Sequence, residues 1–128
     1  MGTIISFTDL VVWKKSHQFV LGIYSVTVGF PKEEVYALTS QIRRAAVSIP
    51  ANIAEGFKKK TLANKINFLS HFEGSLEEVK YYLILAKDLN YISRIDFEKL
   101  KLEAEEISKL ISGYVKAIKN YHQNNPTN

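Results

Sequence analysis

Two stretches of the chain bring carboxylates and small polar groups into helical register. In "QIRRAAVSIPANIAEGF", residues 41–57, Ser48, Asn52 and Glu55 fall on one side of a helix of 3.6 residues per turn. Further on, Ser75 and Glu78 share a stripe with His71 and Tyr82. Facing acids are what general acid–base chemistry uses when their surroundings push their pKa values apart. The set Ser48, Asn52, Glu55, Ser75 and Glu78 reads equally as a hydrogen-bonded network that fixes helix register. We adopt the structural reading, because polar networks perturb acids without any catalysis.

A second group is basic. Lys58, Lys59 and Lys60 follow one another, Lys65 comes one turn into the next helix, and Arg43 and Arg44 precede them. Lys14 and Lys15 lie near the start. Such side chains can contact phosphates without reading a base sequence. Three consecutive lysines are also what a solvated loop looks like. The formal net charge is +4 and the pI about 9.2. Residues 1–66 carry nine Lys/Arg against four Asp/Glu, and residues 67–128 carry eight against nine. A basic half suits a polyanion as partner, and it also suits ordinary solubilising charge.

Other chemistries lack their residues. The chain has no cysteine, which excludes disulfides and cysteine-ligated zinc. A carboxylate-bridged di-metal bundle needs Glu-x-x-His, but Lys14, Phe68 and Lys119 stand three before His17, His71 and His122. No glycine-rich phosphate loop and no Gly-x-Ser-x-Gly occurs. No histidine follows Arg43, Arg44 or Arg94 at the short spacing used by small helical ribonucleases. No enzyme activity, cofactor or metal is expected.

Four segments with helical period must position these residues. The first spans about 9–28, with Thr8 or Asp9 as cap and Val12, Phe19, Ile23 and Val26 near one face. Its run "VLGIYSVTVGF" also suits a strand on propensity alone. Pro31, Glu33 and Glu34 mark a second helix over 34–57, with Val35, Leu38, Ile42, Ala45, Ile49, Ile53 and Gly56 inward. The third runs over 62–89 from a Thr61 cap, with Leu62, Ile66, Leu69, Leu76, Val79 and Leu83 inward. The fourth, over 94–122, follows Ser93 and Asp96 in the manner of a capping box, and buries Phe97, Leu100, Ala104, Ile107, Ile111, Tyr114, Ile118 and Tyr121. The tail, 123–128, should fray. Long amphipathic segments with short connections make an all-α, antiparallel up-and-down four-helix bundle of one domain, its second helix bent at Pro50. No signal peptide or membrane-spanning run is evident, so a cytoplasmic, soluble protein is expected.

The back of the second helix is unusual. Val47, Ala51 and Ala54 stand where a solvated helix would carry Lys and Glu. A helix apolar nearly all round is a buried one, and four helices cannot cover it alone. A second chain is the expected cover. The mid-helix glycine Gly74, which costs roughly 1 kcal/mol relative to Ala, suggests close backbone approach on the third helix.

The segments "FTDLVVWKKS", "FPKEEVYALTSQIRRAAVSIPANIAEGF" and "FLSHFEGSLEEVKYYL" resemble the bacterial 23S rRNA intervening sequence proteins over roughly residues 7–120. The most specific part is Arg43-Arg44-Ala45-Ala46 with Ser48, Asn52 and Ala54-Glu55-Gly56, followed by Gly74-Ser75 and Glu78. Phe72 departs from the pattern, where the family tends to have alanine. The resemblance implies a four-helix bundle, resolves the first segment as helix, and implies a homopentamer. A related protein, the accessory variability protein of diversity-generating retroelements, is a basic pentamer that binds nucleic acid. The expectation is a homo-oligomer, by resemblance a pentamer, that binds RNA or DNA weakly and non-specifically through Arg43, Arg44, Lys58, Lys59, Lys60 and Lys65. The alternative is an oligomeric scaffold that docks a protein partner.

Overall fold

A computed structural model describes residues 3–125. Among them the chain forms four α-helices and no strand: α1 (Val11–Thr27), α2 (Leu38–Phe57), α3 (Leu62–Asp88) and α4 (Arg94–Asn124). Each helix packs on its neighbours in the order α1–α2–α3–α4, and α4 closes back on α1. This is the expected up-and-down bundle. One end gathers the start of α1, the end of α2, the start of α3 and the end of α4.

The core is built from the residues that repeat every three or four positions. Phe19, Ile23, Ile42, Ile49, Phe72, Val79 and Ile107 are essentially without solvent contact. Phe72 therefore serves as a large core residue. Tyr121, expected inward, is exposed, and Ile118 is the last buried side chain of α4.

The helix starts differ from expectation. Neither Thr8 nor Asp9 caps α1. Ser6 caps a 3₁₀ turn, Phe7–Asp9, and the Asp9 carboxylate reaches back to accept from the Ile5 and Ser6 N–H groups at 3.0 Å each. These bonds, Ser6 first, hold the Asp9 carboxyl below the usual range. The helix proper begins at Val11. Likewise Glu33 and Glu34 open only a 3₁₀ turn, Lys32–Glu34, and α2 starts at Leu38 after Ala37 leaves helical geometry at φ −122°, ψ −106°. Glu34 still serves the helix, accepting from the Leu38 N–H at 3.2 Å and from the Tyr91 hydroxyl at 2.8 Å. Val35 is consequently exposed. At the far end, α3 closes with Asn90 at φ 64°, and the Tyr91 N–H reaches the Ala86 carbonyl at 2.8 Å. The capping oxygens of Thr61 and Ser93 act as expected, accepting from the Asn64 and Asp96 N–H groups. The helix α4 continues to Asn124, so part of the expected tail is helical, while 126–128 lie outside the described residues.

Pro50 is buried inside α2, and the helix runs through it unbroken. Its missing N–H leaves the Ala46 carbonyl without its usual partner.

The two mid-helix glycines have opposite settings. Gly74 was expected to allow close approach, yet it is exposed and a Cβ there would meet nothing within 4 Å. At about 100° per residue it points away from the Leu69–Phe72–Leu76 core face. The close approach is at Gly56, where a Cβ would lie 3.1 Å from the Phe68 Cβ. Gly74→Ala should therefore raise stability by about 0.5–1 kcal/mol through helix propensity. Gly56→Ala should lower it by about 1–3 kcal/mol through overpacking. Denaturant melts at one protein concentration would show the two shifts with opposite sign. Equal signs would contradict this packing.

Candidate nucleic-acid interface

The expected basic residues do not form one patch. Arg43 and Arg44 lie near the start of α2, and Lys58 follows its last residue. Fifteen residues of helix separate Arg43 from Lys58, or about 22 Å. Arg43 is tied into the fold: its Nε donates to the Thr27 hydroxyl at 2.8 Å, and its guanidinium lies 4.6 Å from the Tyr24 ring centre. Arg44 is exposed.

Lys65 is also engaged. Its Nζ donates to the carbonyls of Phe57 at 3.0 Å and Gly56 at 3.3 Å, closing the end of α2. Unsatisfied carbonyls at a helix C-terminus favour a cation there. Burial pulls the Lys65 pKa below the usual lysine value. Lys59 lies over the Phe68 ring at 5.1 Å, while Lys58 and Lys60 are exposed.

Local spacing did not reveal what joins Lys58 and Lys60 at this end. Lys80 Nζ donates to Ser108 Oγ at 3.0 Å, which sets the antiparallel level of α3 against α4. Equal rise on both helices then places Lys116 level with Phe72, and Lys119 nearer the start of α3. Lys109, Lys116 and Lys119 are all exposed. The two segments that meet here, residues 56–72 and 116–125, carry six lysines and no Asp or Glu, while Lys109 is level with Val79 further along the bundle. All 13 acidic residues lie elsewhere. The signal was in the sequence as the run after Glu106 without a carboxylate. Totals by half-chain concealed it, because the acids of early α4 cancel those lysines.

Part of the expected polar network is present. Ser48 and Ser75 share a hydrogen bond of 2.7 Å between α2 and α3, and Asn52 Nδ2 donates to Ser48 Oγ at 2.9 Å and to the Ser48 carbonyl at 2.7 Å. The two carboxylates stand outside it. Glu55 is exposed, about 120° around α2 from the centre of its core face. Glu78 is exposed and accepts from the Tyr82 hydroxyl at 3.1 Å. That bond, after burial, raises the Tyr82 pKa. Glu55 and Glu78 share no hydrogen-bond partner, and no group of three metal-ligating residues occurs among the described residues. Ser48→Ala should lower stability by about 1–3 kcal/mol, since it strands Ser75 and Asn52. Glu55→Gln should leave the melt unchanged. A drop for Glu55→Gln as large as for Ser48→Ala would put the carboxylate back into the network.

The back of α2 is open in the single chain: Val47 and Ala51 are exposed and Ala54 is half-buried. The exposed Gly74 lies on the outer side of the adjacent α3.

The model of the 23S rRNA-intervening sequence protein family matches residues 8–113. The chain belongs to that family. A crystal structure of a protein with unknown function from the S23 ribosomal protein family of Bacteroides thetaiotaomicron VPI-5482 is similar, with a TM-score of 0.74 and 31% identity. The similarity covers 83% of this chain and 99% of that one. No curated protein matches. For this member of the 23S rRNA-intervening sequence family, Lys58, Lys59, Lys60 and Lys109 fall inside the family match, and Lys116 and Lys119 lie beyond it. No helix of the described residues is long and apolar enough to cross a membrane.

Proposed function

We propose that the protein is a cytoplasmic homo-oligomer, a pentamer by family resemblance, that holds RNA or DNA loosely and without sequence preference. The observation that carries this is the set of six lysines in residues 56–72 and 116–125, two segments that meet at one end of the bundle and contain no carboxylate of their own. Lysine ammonium groups there meet phosphates as point charges and release counterions. One subunit offers few contacts, so its affinity is poor. A ring repeats the same end around an axis, and simultaneous contacts raise avidity without new chemistry. The face of exposed Val47 and Ala51 with half-buried Ala54 supports self-association. No catalytic step is assigned.

The test is filter binding of structured RNA and duplex DNA across a salt series, with light scattering on the same samples. The proposal expects a particle several times 14.6 kDa whose binding falls steeply with salt and varies little with sequence. A protein that binds neither polymer at low salt would instead be an oligomeric scaffold for a protein partner.

A further inference from the structure

At the other end of α2 lies a second surface with different chemistry. A groove of about 440 Å³ runs between the end of α1 and the start of α2, lined by Tyr24, Val35, Tyr36, Thr39, Arg43 and Arg44. We infer that this groove binds a single nucleotide, an aromatic base carrying a phosphate, by stacking and charge.

Three features point to that ligand. Arg43 is held in place before any ligand arrives. Its Nε is fixed by Thr27, which is itself anchored by donating to the Ile23 carbonyl at 2.8 Å, and its guanidinium carbon lies over the Tyr24 ring. Its terminal nitrogens remain for an anion, with Arg44 exposed beside it. Tyr36 is 97% exposed, so its ring offers an open stacking face.

The third feature is Thr39. This residue is only 7% exposed, yet its hydroxyl has no hydrogen-bond partner. The other buried hydroxyls solve this problem locally: Ser16 donates to the Val12 carbonyl at 2.7 Å and Thr27 to that of Ile23. Thr39 is the second residue of α2, so four residues back lies Val35, in the turn before the helix. A rotation about χ1 exchanges its methyl and hydroxyl, and both rotamers are open to threonine in a helix. The hydroxyl can then meet the edge of a base.

The lining excludes other ligands by charge. No carboxylate lines the groove, and Glu34, the nearest acid in the chain, is occupied by Leu38 and Tyr91. An apolar peptide seated here would bury the arginines without a counter-charge. Inorganic phosphate alone would leave the Tyr36 ring unused.

The inference rests on the nucleic-acid reading, but Lys58 is about 22 Å from Arg43 along α2, so the two surfaces fail separately. Anisotropy of a labelled single-stranded decauridine and of an RNA duplex would be compared for the parent, Tyr36→Ala, Thr39→Val, and Lys58, Lys59 and Lys60→Gln. Ligand-observed NMR with uridine monophosphate would run in parallel, with inorganic phosphate as competitor. Tyr36→Ala should weaken single-strand binding about tenfold and leave duplex binding unchanged, because only an unpaired base can stack there. Thr39→Val should weaken it in the same direction. Signal from the monophosphate that Tyr36→Ala abolishes identifies a free nucleotide as sufficient, and weakening confined to the decauridine assigns the groove to a strand. Unchanged single-strand affinity in Tyr36→Ala overturns the inference. So does phosphate that competes as well as uridine monophosphate, or a fall in particle mass in Tyr36→Ala, which would mean a second copy covers the ring. Loss of duplex binding only in the lysine variant upholds the basic end by itself.

Discussion

Ala51→Glu should reduce the particle to a single chain of 14.6 kDa while its helix content stays near that of the parent. In the isolated bundle this position is exposed, and glutamate is a good helix former, so the fold loses nothing. In the proposed assembly the same face, with Val47 and Ala54 beside it, would be covered by another subunit. A carboxylate buried there without a partner costs about 3–5 kcal/mol, enough to weaken association by more than a hundredfold. Ala54→Glu should act alike, with some loss of stability because it is half-buried already. Light scattering and circular dichroism on matched samples separate the two effects. A parent that is itself monomeric at micromolar concentration would end the proposal of self-association through α2.

Replacing Lys58, Lys60, Lys116 and Lys119 with glutamine should all but abolish binding to nucleic acid at physiological salt. All four are exposed, and none of their side chains takes part in a hydrogen bond or ion pair among the described residues. Each phosphate contact contributes about 0.7–0.9 to the slope of log K against log salt. Losing four per engaged subunit should flatten that slope by about 3 units. The loss should be uniform across sequences, since these contacts position and do not specify. Particle mass should not change. A variant that keeps the parent's slope would show that the phosphates are held elsewhere on the bundle. Lys65→Gln is the informative contrast: it would loosen the end of α2, and its effect would appear first in stability.

How much of this was legible follows from the range over which each signal acts. The register of Phe97, Leu100, Ala104, Ile107 and Ile111 is a local periodicity, and all five are buried. The continuity of α2 through Pro50 came from matching helix lengths, and it holds. The start of α2 was placed too early because Glu33 and Glu34 favour any helical N–H cluster, including a 3₁₀ turn. Glu55 was grouped with Ser48 by its stripe, yet the stripe is wide. Asn52 sits about 60° from the core centre and reaches its partner, and Glu55 at about 120° does not. Lys65 looked like a free cation, because the carbonyls it closes belong to a different helix. The meeting of Lys116 and Lys119 with the start of α3 depends on the antiparallel level, which only packing sets.

The unequal lengths of the helices have a dynamic consequence. Thirty-one residues of α4 extend about 46 Å and twenty of α2 about 30 Å, and Ile118 is the last buried side chain of α4. Beyond it no side chain of α4 is buried, so the ladder there opens without breaking the core. Amide protons from Lys119 to Asn124 should therefore exchange with solvent by fraying, at opening free energies near zero, while those around Ile107 wait for global unfolding. Half of the lysine-rich end thus belongs to a rigid frame and half to a compliant strut. A polyanion drawn across both would slow exchange in the strut alone, which makes those few amides a direct reporter of contact with the ligand.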